Sequence, residues 1–147
     1  MKANPVPDGF HTVTPYLVVK GAEKLIEFMK KAFDAKEIYL HKRPDDTVMH
    51  ATMQVGNSMI MLADASEQYP PLQAALYLYV PDTDAVYRKA IAAGATSIME
   101  PADMFYGDRN AGVTEQSGVQ WWIGTHMEDV SDEEMQRRQE KFMSRAH

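Results

Sequence analysis

The sequence predicts an α+β fold in which two tandem βαβββ units form an incompletely closed eight-stranded cup with helices outside, plus a C-terminal helix. Segments such as TVMHATMQVG, residues 47–56, alternate polar and apolar side chains with the period of a half-buried strand. Two other segments carry apolar residues at helical spacing, and the whole order of elements occurs twice. We expect a single domain, residues 1–147, because a chain of this length can bury one core.

The first unit, at about 12–63, begins with a strand and a helix. In this helix Leu25, Phe28 and Met29 fall on one face, which predicts an amphipathic helix. The dipeptide at 56–57, Gly-Asn, predicts a tight hairpin turn. The predicted elements, in order, are a strand at 12–19, a helix at 21–33 and strands at 36–42, 47–56 and 58–63.

The second unit, at about 74–126, repeats this order. Asp82 is the predicted N-cap of its helix and Gly94 follows the predicted helix end. Unrelated α+β chains can be overlaid by eye, but here Leu17 falls on Leu78 with the same helix phase and turn positions, which favours duplication. The predicted elements are a strand at 74–80, a helix at 82–94 and strands at 95–103, about 106–115, and 119–126.

A last helix is predicted at about 131–146. Ser131 and Glu134 fit a capping box at its start. Its apolar stripe is sparse, so we expect the helix to lie at the periphery of the domain.

The composition excludes several kinds of site and partner. The chain has no cysteine, which excludes disulfides and thiolate metal ligands. Its net charge is -6 and no basic stripe is present, so we expect no nucleic-acid partner. No apolar run reaches the roughly 20 residues of a membrane span, and the first residues lack a signal peptide's apolar core. We therefore expect no membrane partner and a cytoplasmic location.

Four motifs carry a resemblance to a known family: VMHATMQVG, MLAD, FYGDR and SGVQWWIGTH. Together with the paired βαβββ units, they resemble the vicinal oxygen chelate superfamily of glyoxalases, bleomycin resistance proteins and extradiol dioxygenases, and within it the PhnB-like branch. The resemblance covers roughly residues 8–130. It implies a ligand on the concave inner face of the sheets, association as a homodimer and, in metal-dependent members, four side-chain metal ligands.

The resemblance places the four metal-ligand positions on Thr14, His50, Ala75 and Trp122 of this sequence. Only His50 is a ligand for zinc, nickel or iron, and these metals need three or four protein donors. We therefore expect no cofactor, with a divalent metal disfavoured. A relocated metal site would draw on other residues near the strand ends, namely His126, Glu115, His11 and His41.

Residues in phase with those four positions predict the wall of the pocket. Aromatic rings alternate there with hydrogen-bonding groups, which is typical of small-molecule pockets, although aromatic residues are also common in strands and could fill the cup as core. Gly124, beside Trp122, is expected to leave room for a ligand atom. Arg109 could bind a carboxylate or phosphonate, or lie in solvent. The predicted ligand-binding residues are Thr14, Tyr16, His50, Thr52, Gln54, Tyr77, Tyr79, Arg109, Trp122 and His126.

Two classes of function fit this pattern. The first is a protein that binds a small aromatic or amphipathic molecule between two copies of the chain, without the usual metal. The second is an enzyme, either a glyoxalase-like lyase, an isomerase or a dioxygenase, with a relocated metal site or with His50 as catalytic general base. His50 could also be structural, with its imidazole hydrogen-bonded to strand neighbours. We favour the first class, because the missing metal ligands and the aromatic wall then need no further assumption.

Overall fold

The computed structural model describes residues 2–145 of the chain. In chain order its elements are β1 Tyr16–Val19, α1 Ala22–Phe33, β2 Lys36–Lys42, β3 Val48–Val55, β4 Ser58–Asp64, β5 Ala75–Tyr79, α2 Thr83–Ala92, β6 Thr96–Asp103, β7 Asp108–Thr114, β8 Gln120–His126 and α3 Asp132–Arg145. The order is βαβββ twice, followed by a helix. The predicted fold class is confirmed.

The strands form two separate four-stranded sheets with the same topology. Sheet 1 has the order β1-β4-β3-β2 and sheet 2 has the order β5-β8-β7-β6. In each sheet the first strand runs parallel to the last, and the other pairs are antiparallel. Leu17 lies opposite Leu62, and Leu78 lies opposite Ile123, at equivalent places in the two sheets. This register supports the predicted duplication.

The first strand is shorter than predicted. It begins at Tyr16 rather than at residue 12. Pro15 has no N–H to donate to a strand ladder, and it restricts the backbone of the residue before it. Thr14 therefore lies in the lead-in to β1, where its hydroxyl donates to the carbonyl of His11 at 3.4 Å.

Each helix is tied to the last strand of its own unit through a capping side chain. The carboxylate of Asp64 accepts hydrogen bonds from the N–H groups of Gly21 (3.0 Å) and Ala22 (2.9 Å) at the start of α1. In the second unit, Thr125 occupies the equivalent position and accepts from the N–H of Thr83 at 3.1 Å. These acceptors satisfy N–H groups that have no partner inside the helix.

The predicted helix ends are also present. The side chain of Asp82 accepts from the N–H of Ala85 at 3.1 Å. Gly94 has φ 105°, a left-handed conformation that favours glycine after a helix. The Ser131 hydroxyl accepts from the N–H of Glu134 at 3.2 Å, which is one half of the predicted capping box. The carboxylate of Glu134 accepts from Arg137 and Arg138 instead.

The helix-covered faces of the two sheets meet in one continuous hydrophobic core. Helices α1 and α2 pack against each other, and Trp121 of β8 contacts the rings of Phe33 and Phe28 in α1, with centroids 4.9 and 6.4 Å apart. Met53 is buried on this face, whereas Met49, near the start of β3, is exposed. The opposite face of each sheet is free of helices, and we call these two surfaces the open faces.

Helix α3 lies at the periphery, as expected, and none of its described residues is buried. Arg138 donates to the carbonyl of Phe105 at 3.1 Å and pairs with Glu128. The ring of Phe142 lies 5.1 Å from that of Phe105. The predicted last residue of this helix, 146, lies outside the described residues. No helix in the range 2–145 is long and apolar enough to cross a membrane.

Candidate functional site

The open face of sheet 1 presents a row of side chains across all four strands. The register places Tyr16, Met61, Thr52 and Tyr39 side by side. The ring of His50 lies between the two tyrosines, with centroids 5.8 Å from Tyr16 and 5.9 Å from Tyr39. Tyr39 is 52% exposed. This face therefore offers aromatic surface to a ligand.

His50 is anchored by one neighbour on its own strand. Its Nε2 lies 3.2 Å from the hydroxyl of Thr52, which is buried while the imidazole is partly exposed. Its cross-strand partner is His41. Gln54, further along β3, donates to the carbonyl of Gly56 at 3.2 Å and so contacts the hairpin turn. Within this strand, only His50 presents a ring to the open face.

The open face of sheet 2 holds a hydrogen-bonded network centred on Asp108. Its Oδ2 accepts from the hydroxyls of Tyr77 and Tyr79, both at 2.9 Å. Its Oδ1 lies 2.9 Å from Nδ1 of His126, whose Nε2 lies 2.7 Å from Asp129. Asp108 is only 5% exposed. We call these five residues, together with Asn110, the Asp108 cluster.

The cluster keeps Asp108 ionised. Burial acts to raise the pKa of Asp108, but hydrogen bonds from His126, Tyr77 and Tyr79 outweigh it and leave the pKa below its usual value. Hydrogen bonds to Asp129 and then to Asp108 raise the pKa of His126. Burial is the main cause that raises the pKa of Tyr77 to about 12. The result is a carboxylate held by an imidazole and two neutral phenols.

Asn110 lies two residues after Asp108 on β7 and therefore on the same face. Its Nδ2 donates to the hydroxyl oxygens of Tyr77 (3.2 Å) and Tyr106 (2.6 Å). Tyr77 gives its proton to Asp108, so its oxygen can only accept from Asn110, which fixes the orientation of the amide. Asn110 is 3% exposed, and its Oδ1 has no hydrogen-bond partner within residues 2–145. Such a buried acceptor costs about 1–3 kcal/mol.

Two glycines of sheet 2 allow aromatic rings to lie directly on the strands. A Cβ atom on Gly112 would meet the ring of Trp122 at 2.7 Å, and one on Gly124 would overlap the side chain of Tyr77. The space at Gly124 that we expected for a ligand atom is therefore filled by Tyr77, and that prediction is wrong. Trp122 is partly exposed, and its indole N–H donates to Gln120 at 3.4 Å.

Arg109 lies on the opposite face of β7 from Asp108. Its guanidinium binds both carboxylate oxygens of Asp84 in α2, at 2.7 and 2.9 Å, and Asp103 at 3.2 Å. These carboxylates raise the pKa of Arg109. The structure thus gives Arg109 partners on the helix side of sheet 2, away from the open face, and we leave it out of the candidate site.

The residues at the family's metal positions do not fit a metal ion. Thr14 precedes β1, and His50 lies on β3, which is separated from β1 by β4. Ala75 has no donor atom, and the indole N–H of Trp122 can only donate a hydrogen bond. One imidazole cannot supply the three or four donors that zinc or iron requires.

The residues predicted for a relocated metal site do not fit a metal ion either. His11 contacts the carbonyl of Asn57 at 3.3 Å, and Glu115 accepts from the N–H of Ser117 at 2.8 Å in the turn before β8. In the described part of the chain, no three His, Asp or Glu side chains converge in a way that could hold a metal. We therefore derive no chemistry through a metal.

A cleft of about 740 Å³ runs along β5 between the two units and reaches Tyr77 and Tyr79. Strand β5 is at the edge of sheet 2. The cleft volume lies in the range of small-molecule sites. Its wall is mainly apolar and includes Phe33, Val55, Ile60, Leu76, Leu78 and Val86.

Two βαβββ units, each with one sheet face free of helices, define a glyoxalase-like fold. The profile of the Glyoxalase/Bleomycin resistance protein/Dioxygenase superfamily matches residues 9–123. The chain belongs to this superfamily, which confirms the family resemblance at that level.

Relatives and similar structures agree with this assignment. The chain is 31% identical over 135 residues to an uncharacterized protein of Mycobacterium bovis, covering 84% of this chain and 89% of that protein. TioX from Micromonospora sp. ML1 has a similar structure, with TM-score 0.69 and 19% identity over 80% of this chain and 99% of that chain. A PhnB protein from Bacillus cereus gives TM-score 0.59 and 18% identity over 78% and 99% of the respective chains. At these identities the two structures show a shared fold alone.

Sequence analysis missed Asp108, the centre of the cluster, and three further residues that contribute to the open faces: Tyr39, Tyr106 and Asn110. Asn110 could have been found, because it shares the strand parity of Asp108. Tyr39 was harder to place because β2 carries a register shift after Glu37, which interrupts the alternation. Tyr106 lies in the turn between β6 and β7, where no periodicity applies.

Proposed function

We propose that the chain binds a small aromatic or amphipathic molecule against its open faces, without the metal typical of the superfamily. The observation that carries this proposal is a set of rings left exposed on those faces, while the opposite faces are packed into the core: Tyr16, Tyr39, Tyr77 and Tyr79. Exposed aromatic surface of this kind marks binding sites. The cleft along β5 lies on the helix-covered side of sheet 2 and reaches Tyr77 and Tyr79 only at the sheet edge.

A homodimer is part of the proposal. In one chain the open faces belong to separate sheets joined through their helix-covered sides, so each face is a shallow wall. A second copy would lay an open face against each wall and enclose a ligand between rings of two chains. We also assign the chain to the PhnB-like branch and to the cytoplasm as parts of this proposal; one similar structure supports the branch.

A neutral planar probe, 2-(1-naphthyl)ethanol, tests this function. We expect it to bind wild-type protein in saturation-transfer NMR and calorimetry, and to bind at least about fivefold more weakly when Tyr79→Ala and Trp122→Ala are combined, because each lost ring contact is worth about 0.5–1.5 kcal/mol. Tyr69→Ala is the matched control, since Tyr69 is an exposed ring outside both sheets. Equal loss in the control, or no binding at all, contradicts the proposal.

The proposed homodimer can be tested separately from ligand binding. Sedimentation equilibrium should give twice the mass of one 16.6 kDa chain. Ligand binding should become stronger as protein concentration rises through the dimerisation range, because the pocket needs both copies. A strictly monomeric protein that binds the probe would contradict the shared pocket.

A second candidate function is a lyase or isomerase reaction with His50 as general base. The observation in its favour is that Nδ1 of His50 makes no hydrogen bond within residues 2–145, while Nε2 is anchored at Thr52 and the ring is partly exposed. A ligand-facing base needs such a free nitrogen. His50→Ala should then lower turnover of an identified substrate by about 100-fold or more, with ligand affinity retained. Unchanged turnover contradicts this candidate.

A further inference from the structure

We propose that the Asp108 cluster is the polar subsite of this pocket and that it binds a protonated amine. The inference rests on the proposed function and names the chemical class of the ligand's head group. It comes from hydrogen-bonding capacity and charge at one place on the open face of sheet 2.

The Asp108 cluster contains oxygen atoms that can still accept hydrogen bonds, so it can bind a ligand that brings donors. Oδ1 of Asn110 is buried and lacks a donor among the described residues. Tyr79 gives its proton to Asp108 at 2.9 Å, so its oxygen can only accept from a ligand. An ammonium group carries three donors and no acceptor, which matches these two oxygens.

The charge around the cluster favours a cation. Two carboxylates, Asp108 and Asp129, flank a single imidazole, His126. Arg109 is on the other face of sheet 2, where its charge is bound by two other carboxylates. The net charge beside Asn110 is therefore negative, which attracts an ammonium and repels a carboxylate.

Aromatic rings complete the subsite. The rings of Tyr77 and Tyr79 lie 5.0 Å apart, and Tyr79 is 67% exposed. A cation over a tyrosine face gains about 0.5–2 kcal/mol. An amine attached to an aromatic or apolar body would place its head at the Asp108 cluster and its body on the exposed rings.

Access to Oδ1 of Asn110 requires one covering group to move. Tyr106 and Tyr77 both accept from Nδ2 of Asn110, and Tyr106 comes from a turn whereas Tyr77 is on β5. Turn residues open at lower free energy than residues within paired strands. Rotation of Tyr106 would break its 2.6 Å contact with Nδ2 of Asn110 and open a path to the buried amide.

Three probes with one ring system test the inference: 2-(1-naphthyl)ethylammonium, 2-(1-naphthyl)ethanol and 3-(1-naphthyl)propionate. We expect calorimetry at pH 7 to show the ammonium at least about tenfold tighter than the alcohol, and the carboxylate weakest, because a charged hydrogen bond adds about 1.5–3 kcal/mol. In Asn110→Val and Asp108→Asn this preference, taken as the ratio of the two affinities in the same variant, should fall to about threefold or less.

Asp103→Asn is the matched control, because it removes a carboxylate from sheet 2 on the Arg109 side. The preference should persist there, and circular dichroism should confirm that each variant is folded. Asn110→Val removes the unpartnered oxygen without removing a charge, so the test survives if Asp108→Asn fails to fold. Equal affinity for the three probes, or a preference unaffected by Asn110→Val, overturns the inference.

The outcomes separate the inference from the proposed function. Binding of all three probes with equal affinity would leave the aromatic pocket in place and reject the amine subsite. Binding of none would reject the amine subsite as well as the pocket. Loss of preference in Asp103→Asn would show that overall charge, rather than the Asp108 cluster, selects the cation.

Discussion

The two open faces have the same backbone and different chemistry. The strand registers equate Val48 with Asp108 and His50 with Asn110. In sheet 1 the ring of His50 has one side-chain hydrogen bond, to Thr52, and lies among exposed tyrosines. In sheet 2 the same area is a buried carboxylate held by three donors. One half of the duplicated fold is therefore adaptable and the other is preorganised.

In the proposed pocket, the two sheets would contribute differently to binding. Fixed polar groups give specificity because their hydrogen bonds are already in place before the ligand arrives. Loosely held rings give area and tolerate ligands of different shape. In a pocket shared by two copies, an adaptable wall would face a preorganised one.

The largest expected effect comes from removing the centre of sheet 2. Asp108→Ala leaves Tyr77, Tyr79 and His126 without their shared acceptor, and it should lower the free energy of unfolding by about 2–4 kcal/mol. The counterpart in sheet 1, His50→Ala, should cost about 1 kcal/mol or less, since one hydrogen bond is lost at a partly exposed site. Urea denaturation measures both. Equal costs would remove the contrast between the two faces.

A smaller effect is expected from Gly124→Ala. The added methyl group overlaps Tyr77, so the ring must leave the strand surface and its hydrogen bond to Asp108 must lengthen. We expect a loss of about 1–3 kcal/mol in stability. The equivalent residue in sheet 1 is already an alanine, Ala63. Ala63→Gly is therefore the reciprocal control, and its cost should stay near the propensity penalty of about 1 kcal/mol.

If Gly124→Ala proves neutral, Tyr77 is free to move and the face is less preorganised than its hydrogen bonds indicate. A crystal structure of the variant would then show where the ring has gone. A displaced Tyr77 with an intact Asp108–His126 contact would show that His126, rather than Tyr77, holds Asp108 in place.

The smallest expected effect is a pH dependence that belongs to sheet 2. The pKa of His126 is raised, so its stabilisation is complete below the usual histidine value and is lost as pH rises through the folded value. The pKa of Asp108 is lowered, so its stabilisation is present above the usual aspartate value and is lost as pH falls through the folded value. The His126–Asp108 pair should stabilise the folded protein most at roughly pH 4 to 6.5.

The measurement is the difference in unfolding free energy between wild type and His126→Gln across this range. We expect the difference to be largest near pH 5.5 and to shrink toward pH 9. Asp129→Asn should weaken the pH dependence, since Asp129 is the first cause of the shift. A difference that grows with pH would show that His126 is stabilised in its neutral form.

Much of the fold could be predicted because its signals are local. Alternation marked the long strands, and Asp82 and Ser131 marked helix starts. The start of β1 was wrong because a proline ended the pairing that its apolar pattern suggested. The cap of α2 could be predicted because Asp82 directly precedes the helix. The Asp64 cap of α1 joins residues 42 positions apart, so the sequence near α1 gives no sign of it.

The site was harder, because a face depends on which strands become neighbours. Strand parity predicted Tyr77, Tyr79 and His126 as ligand-binding residues. It did not predict their common partner, Asp108. Asp108 stands beside Arg109 in sequence, and the two side chains lie on opposite faces. Only the register of β5, β8 and β7 shows that the two tyrosines and the histidine meet at one carboxylate.

The two capping contacts also determine when each half of the chain can complete its fold during synthesis. Ala22 and Asp64 are 42 residues apart, and so are Thr83 and Thr125. A ribosome releases the N-terminal residue first, so each helix leaves the exit tunnel before the side chain that caps it. Each half of the chain must therefore wait for its final strand, and the emergence of one residue, first Asp64 and later Thr125, completes it.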